Sequence, residues 1–270
     1  MDVKAYLHRI GITATPAPSL VALRKLHRQH LLSIPFENLS FHSDENIALD
    51  QDFLYDKIVV KRRGGCCFEN NGLLLWLLQV LGYKVFVLSA RVRDRTTGFF
   101  GPPTHMVLTV ELEGRWWLCD VGFGEGIREP LPLVAGWEEE QECGKFRLRE
   151  NQEEWVLEEN EDGTWTGLYK FTLEERCLED FKWSSEYHQS SQSSIIFCKS
   201  FCTLQLSRGR LTYVGHKLIS TEFTAEGGKV KTTRHLKDDE ILNVLRDQFG
   251  IVLSRMFFPK DEKMLPLAYA

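Results

Sequence analysis

The chain has 270 residues and is 43% hydrophobic, enough for a substantial core spread over two or three packed subdomains. Its formal net charge is −5, and the basic runs Lys61-Arg62-Arg63 and Arg91-Val92-Arg93 are too short to make nucleic acid a main partner. No apolar run is long enough to span a bilayer, and Asp2, Lys4, His8 and Arg9 interrupt any apolar leader after Met1, so neither a membrane partner nor a secretory signal is expected.

Asp2 to Ile10 reads as a short amphipathic helix ended by Gly11, followed by the proline-bearing connector Thr13 to Pro18. Ser19 caps a second helix with Leu20, Leu23, Leu26 and Leu31 on its apolar side. His27 and His30 on that helix have no carboxylate at a telling spacing and are expected to be partly exposed structural histidines. Pro35 breaks the helix, and Asp52 to Val60 fits a third. Arg63-Gly64-Gly65-Cys66-Cys67 then delivers two cysteines to the start of a run, Leu73 to Leu81, that is apolar on every side and reads as a buried helix stopped by Gly82. Residues 1–82 are therefore expected to form a helical bundle.

The period changes to two after Gly82. Lys84 to Val92, His105 to Leu112 and Arg115 to Val121 read as strands, the last two joined by the turn Glu113-Gly114. Further strands are predicted at Phe146 to Leu148, Glu154 to Leu157 and Gly167 to Thr172, with the acidic stretches Trp137 to Glu142 and Glu158 to Asp162 as solvated surface. Residues 83–177 are assigned to an antiparallel β-barrel. In residues 178–270, Glu174 to Tyr187 is expected to supply a linking helix and Gln189 to Ser194 a connector. Strands follow at Ser200 to Leu206, Arg210 to Ser220 and Lys229 to Arg234. A last helix, capped by Asp238 and ended by Gly250, buries Ile241, Leu242, Val244, Leu245 and Phe249. The fold class is α+β.

Seven cysteines at positions 66, 67, 119, 143, 177, 198 and 202 make an odd count without disulfide-framework spacing, which favours a reducing, cytoplasmic setting. Cys198-x-x-x-Cys202 has no second ligand pair, so no metal is expected. A cysteine at the first turn of a helix sits at the positive end of the helix dipole, which favours thiolate. With a two-residue turn at Glu113-Gly114, Leu112 faces Arg115 and the register places His105 opposite Gly122. Asp120 then shares the sheet face of His105, and Cys119 points away. A carboxylate fixes a histidine tautomer and stabilises its imidazolium, so the three residue types together make a Cys–His–Asp nucleophilic arrangement. That geometry serves acyl transfer, thiol hydrolysis and transglutaminase-like chemistry alike, and a catalytically silent binding module is a further alternative.

Arg63-Gly64-Gly65-Cys66-Cys67-Phe68-Glu69, Pro103-Thr104-His105 and Asp120-Val121-Gly122-Phe123-Gly124 closely resemble the signature of the arylamine N-acetyltransferases. Pro35-Phe36-Glu37-Asn38-Leu39 and the opening Met1 to Gly11 match as well, and the resemblance runs to about Arg255. It implies a helical bundle, a β-barrel and an α/β lid around a cysteine-protease-like core. It further implies Cys67 as nucleophile, with His105 and Asp120 completing the triad. The implied reaction is ping-pong acetyl transfer from acetyl-CoA to arylamines, arylhydrazines or N-hydroxyarylamines. Phe36, Val92 and Phe123 fall where the family lines its acceptor pocket, and Thr104 and Gly124 where it meets CoA. The chain departs from the pattern at Cys66, where an aromatic is usual, and in Gly98 to Pro103, which is not a clean glycine-rich loop. Two further departures are the tail Leu265 to Ala270 and the absence of the long insertion that vertebrate members carry before the lid.

Overall fold

The computed structural model describes residues 1–43, 45, 47–224 and 228–265; the terminal residues 266–270 of the tail singled out above lie outside them. Helix α1 (Val3–Arg9) starts on the Asp2 carboxylate, which accepts from the Lys4 N–H, and α2 (Leu20–Ser33) starts on the Ser19 hydroxyl, which accepts from the Ala22 N–H. Pro35 ends α2, and the chain spends two residues as strand β1 (Phe36–Glu37). The expected third helix is α3 (Gln51–Tyr55), continued by a wider π-turn over Asp56–Val60. Helix α4 (Cys67–Val80) is the buried apolar helix, ending before Gly82 at φ +91°.

Strands β2 (Lys84–Val92), β3 (His105–Leu112), β4 (Arg115–Cys119) and β5 (Leu131–Pro132) are followed by β6 (Glu138–Gln141), β7 (Gly144–Asn151), β8 (Glu154–Glu161) and β9 (Thr164–Arg176). They pair antiparallel in the order β5-β4-β3-β2-β9-β8-β7-β6. The two edges approach where Ala135 bridges Leu148, so the sheet is a nearly closed barrel. Glu113 (φ +53°) and Gly114 (φ +72°) form the tight turn between β3 and β4, and Leu112 pairs with Arg115 as the sequence predicts. The ladder stops at Leu108 and Cys119, so Asp120 and Val121 lie just beyond the strand that was expected to hold them.

β3 is buried on both faces. Met106, Leu108 and Val110 join the helical cluster with Leu73, Leu74 and Leu77 of α4, whereas Val107 joins the barrel interior with Leu88, Leu118 and Tyr169. Such a strand reads as one continuous apolar run, and the period of two shows only in which core each residue enters.

Beyond the barrel come α5 (Lys182–Ser190) and the short α6 (Ile195–Cys198). Strands β10 (Phe201–Leu206), β11 (Gly209–Val214), β12 (Lys217–Phe223) and β13 (Lys229–His235) precede α7 (Asp238–Phe249). The second sheet runs β1-β10-β11-β12-β13 and buries Cys202 and Tyr213 against Ile241, Val244, Leu245 and Phe249 of α7. Its edge strand is Phe36–Glu37, a piece of the amino-terminal region, so the lid sheet is not confined to the last third of the chain.

Several local expectations are corrected. β9 continues to Arg176 and a 3-10 turn spans Leu178–Phe181, so the linking helix starts only at Lys182 and runs through Ser190, two residues into the predicted connector. Arg210 to Ser220 is not one strand but a hairpin turning at Gly215, whose φ is +56°. Both acidic stretches contain strand; Trp137 to Glu142 lies at the surface as expected, whereas Glu158 is buried because it holds both Arg147 and Arg149, and Glu159 because it holds Lys229. Lys237, not Asp238, occupies the cap position of α7, and Leu242 is half-exposed on its outer face.

Beneath the Arg-Gly-Gly turn lies a buried ion network. The Arg63 guanidinium, 3% exposed, holds Glu37 at 2.9 Å and Glu45 at 2.7 Å. Glu37 also accepts from the Leu39 N–H at 2.7 Å, and Lys57 holds Glu69 at 2.6 Å. Arg63→Met strands two carboxylates, one of them fully buried, and is expected to cost about 3–5 kcal/mol of unfolding free energy. Urea denaturation checks this, and a loss within ~0.5 kcal/mol, the range of ordinary surface substitutions, would remove the network from the stability account.

Candidate active site

Cys66 is the cap residue of α4 and Cys67 its first helical residue. The cap is closed by Glu69, whose carboxylate accepts from the Cys66 N–H at 2.9 Å while Lys57 neutralises it. Two glycines bring this helix start against its surroundings. A Cβ on Gly64 would stand 2.0 Å from the Pro35 carbonyl oxygen, and one on Gly122 would stand 2.6 Å from the Cys67 Cα. Gly122 therefore lets the segment after β4 press directly on the first turn of α4.

That approach assembles the three predicted residues. His105 Nε2 donates to Asp120 Oδ2 at 2.7 Å, and His105 also hydrogen-bonds Cys67. All three are buried: Cys67, His105 and Asp120 are each 3% exposed. Burial alone raises a thiol pKa, but hydrogen bonds from Cys66 and His105 and the imidazolium charge hold Cys67 well below the ordinary thiol range. Burial likewise disfavours the His105 cation, yet the Asp120 carboxylate outweighs it and pushes the imidazole up to about 10. Burial opposes ionisation of Asp120 too, and His105, Asn71 and the Gly122 N–H keep its carboxyl below the usual range. Cys66, giving its hydrogen bond to Cys67 and buried, is held as a thiol. The two adjacent cysteines are thus electrostatically different.

Further residues complete the site. Asn71, one turn after Cys67 on the same helix face, donates from Nδ2 to Asp120 Oδ1 at 2.9 Å and to the Met106 carbonyl at 2.7 Å. Its Oδ1 accepts from the Val121 N–H. The spacing of four from Cys67 was the available signal. His27 is fully buried, contrary to the expectation of a partly exposed residue; burial pushes its pKa down to about 4 and keeps it neutral. Its Nε2 accepts from the Asp120 N–H at 3.0 Å and its Nδ1 donates to the Arg128 carbonyl at 2.9 Å. His30 is equally buried, 2.6 Å from the Tyr6 hydroxyl. Tyr169 of β9 lays its ring 5.1 Å from that of His105. Cys119 points into the helical cluster, as its parity requires.

Among the remaining predicted site residues, Phe123 packs its ring 5.3 Å from His105. Gly124, at φ +81°, faces the Phe36 ring, which a Cβ there would meet at 2.5 Å. Val92 pairs with Tyr169 at the edge of the barrel core. Thr104 is buried, and its carbonyl oxygen lies 3.7 Å from Cys67 Sγ. All seven cysteines are outside disulfides, and among the described residues no group of three His, Cys, Asp or Glu side chains is placed to hold a metal. No helix among them is long and apolar enough to cross a membrane.

Comparison with known proteins agrees with this geometry. A family model described as N-acetyltransferase matches residues 19–258. The chain is 34% identical to the arylamine N-acetyltransferase pineal gland isozyme NAT-10 of Gallus gallus, across 97% of this chain and 98% of that protein. It is 33% identical to arylamine N-acetyltransferase 2 of Mus musculus, across 96% and 97%. The arylamine N-acetyltransferase structure from Salmonella typhimurium superposes with a TM-score of 0.86 at 30% identity, across 92% of this chain and 90% of that one. That of Mycobacterium marinum in complex with CoA gives 0.83 at 31% identity, across 93% of each chain. The architecture is thus that of an acyltransferase built on a cysteine-protease-like core. The chain belongs to the arylamine N-acetyltransferase family, and the hydrolase and binding-module alternatives are not favoured.

The pKa directions define a pH window. Cys67, with its pKa lowered, stays thiolate until pH falls through its own low value, and His105, with its pKa raised, stays protonated until pH rises through about 10. The ion pair therefore spans neutral pH, and its stabilisation is lost at both ends. Alkylation of Cys67 by iodoacetamide is expected to be nearly flat between about pH 6 and 9. In His105→Phe it is expected to rise about tenfold per unit towards a thiol pKa near ~8.5. A wild-type rate rising in the same way would show that Cys67 is an ordinary thiol.

Proposed function

We propose that this protein transfers an acetyl group from acetyl-CoA to arylamines, arylhydrazines or N-hydroxyarylamines by way of an acetyl-Cys67 intermediate. The observation that carries the reading is the buried Cys67–His105–Asp120 chain at the start of α4, in a member of this family. The Cys67 thiolate adds to the thioester carbonyl, and collapse of the tetrahedral species breaks the bond to the CoA sulfur. His105 gives its proton to that departing thiolate. Now neutral, it takes a proton from the amine nitrogen as the amine attacks acetyl-Cys67 and the Cys67 thiolate leaves. Asp120 remains ionised throughout and holds the imidazole by Nε2. The first N–H groups of α4 have no intrahelical partner, and the helix dipole there favours the negative charge that develops on the carbonyl oxygen.

Phe36, Val92 and Phe123 are assigned to the acceptor side, supported by the packing of Phe123 on His105 and of Phe36 on Gly124. Thr104 and Gly124 are assigned to the donor side. Residues 1–82, 83–177 and 178–270 act as mount, barrel and lid, with β1 crossing from the first to the third. The working place is the cytoplasm, with small molecules as partners and neither nucleic acid nor membrane among them.

Acetyl-CoA without acceptor is expected to leave a stoichiometric acetyl group on Cys67, read by peptide mass spectrometry, which an arylamine then removes. Cys67→Ser is expected to lose at least about 10³-fold in turnover, as activated nucleophiles do. Arylamine acetylation at the wild-type rate by that variant would overturn the assignment.

A further inference from the structure

The acyl-transfer steps leave one buried titratable group beside the nucleophile unused. His188 lies on α5, is 6% exposed, and places its ring 5.8 Å from that of Phe68, the residue after Cys67. Its Nδ1 is 2.7 Å from Ser194 Oγ and its Nε2 is 3.3 Å from the Thr104 carbonyl oxygen. A carbonyl can only accept, so Nε2 carries the proton. Burial keeps the ring neutral, so Nδ1 is the acceptor and Ser194 the donor. The same Thr104 oxygen is the one that Cys67 Sγ faces at 3.7 Å. From the preceding turn of α5, Ser184 donates to the Pro103 carbonyl at 3.2 Å. Helix α5 thus grips the last two carbonyls before His105.

We propose that His188, oriented by Ser194, is a positioning residue for the nucleophile: it occupies the Thr104 carbonyl and so directs Cys67 to His105. The proposal rests on the reading of Cys67 as the nucleophile. Two sulfur partners compete at this point. A carbonyl oxygen has two lone pairs; with one filled by His188, the 3.7 Å S–H···O contact to Thr104 is a weak rival, and the proton passes to His105. Without that N–H, a buried carbonyl lone pair is left facing the thiol, and an S–H···O contact stabilises the thiol over the thiolate. The ionisable groups that face His188 are Cys67 from α4, His105 from β3 and Tyr187 from its own helix.

The test is the rate of iodoacetamide alkylation at Cys67, assigned by peptide mass spectrometry, at pH 6 and pH 9. It needs no acyl donor. A wild-type protein inert to acetyl-CoA but with a reactive Cys67 would therefore fail the functional reading and leave this one standing. His188→Leu is expected to be about tenfold slower than wild type at pH 6, the loss for a thiol whose pKa has risen to about one unit above that pH, and close to wild type at pH 9. His188→Gln keeps an N–H for Thr104 O and is expected to stay within about twofold at both pH values. Ser194→Ala, which frees Nδ1 but leaves the ring, is expected to fall between them and keeps the test open if the leucine variant does not fold. His188→Leu equal to wild type at pH 6 overturns the proposal. So does a loss of the same size at both pH values, or a glutamine variant as slow as the leucine one, because each reduces His188 to packing.

Discussion

The Asp120 residue is the point at which three elements distant along this chain, α2, α4 and β3, meet. It accepts from His105 on β3, from Asn71 on α4 and from the Gly122 N–H in its own segment, while its backbone N–H is taken by His27 on α2. A buried carboxylate is costly unless its lone pairs are filled, so Asp120 can be buried in its ionised form only when helix, strand and loop are all in place. The charge that organises the candidate site is therefore also a register mark for the packing of bundle on barrel. Gly122 sets how close that packing can be, because its missing Cβ is the space in which the first turn of α4 sits.

Much of this was legible in the sequence, for identifiable reasons. The β3–β4 register followed from a two-residue turn with glycine at its second position, and parity then placed His105 and Asp120 together without any knowledge of the fold. Helix α4 was legible from an unbroken apolar run. What failed was reading surface from charge. Glu158 and Glu159 look solvated in one dimension, yet Glu158 meets Arg147 and Arg149 across the β7–β8 hairpin and Glu159 meets Lys229 from the second sheet. His27 and His188 were missed for a related reason. Apart from the Ser194 hydroxyl on His188, their partners are backbone groups of Asp120, Arg128 and Thr104, and backbone partners leave no trace in residue identity. Asn71 alone among the supporting residues had a periodic signal, being one turn from Cys67.

The neighbouring cysteines show how little sequence separates two chemistries. Cys66 and Cys67 differ by one position and share nearly complete burial, but only Cys67 meets His105. Cys66, on the cap, donates to its neighbour and is held as a thiol. The difference between the thiolate and the thiol arises from helix phase, since the first helical residue turns toward β3 and the cap residue does not.

One joint has a mechanical meaning. Strand β1 is only two residues long, yet Phe36 and Glu37 pair with Thr203 and Cys202 of the lid sheet. The Asn38 side chain adds bonds to Ile196, Lys199 and the Phe201 N–H. On its other side the same segment is bonded to Gly65 and anchored by Arg63 through Glu37. A swing of this sheet away from Cys67 would have to tear this seam, so the sheet behaves as a fixed wall bolted to that residue's own foundation. Admission of a substrate to a sulfur only 3% exposed is then a matter of side chains and loops moving around a rigid frame, not of a hinge opening the frame itself.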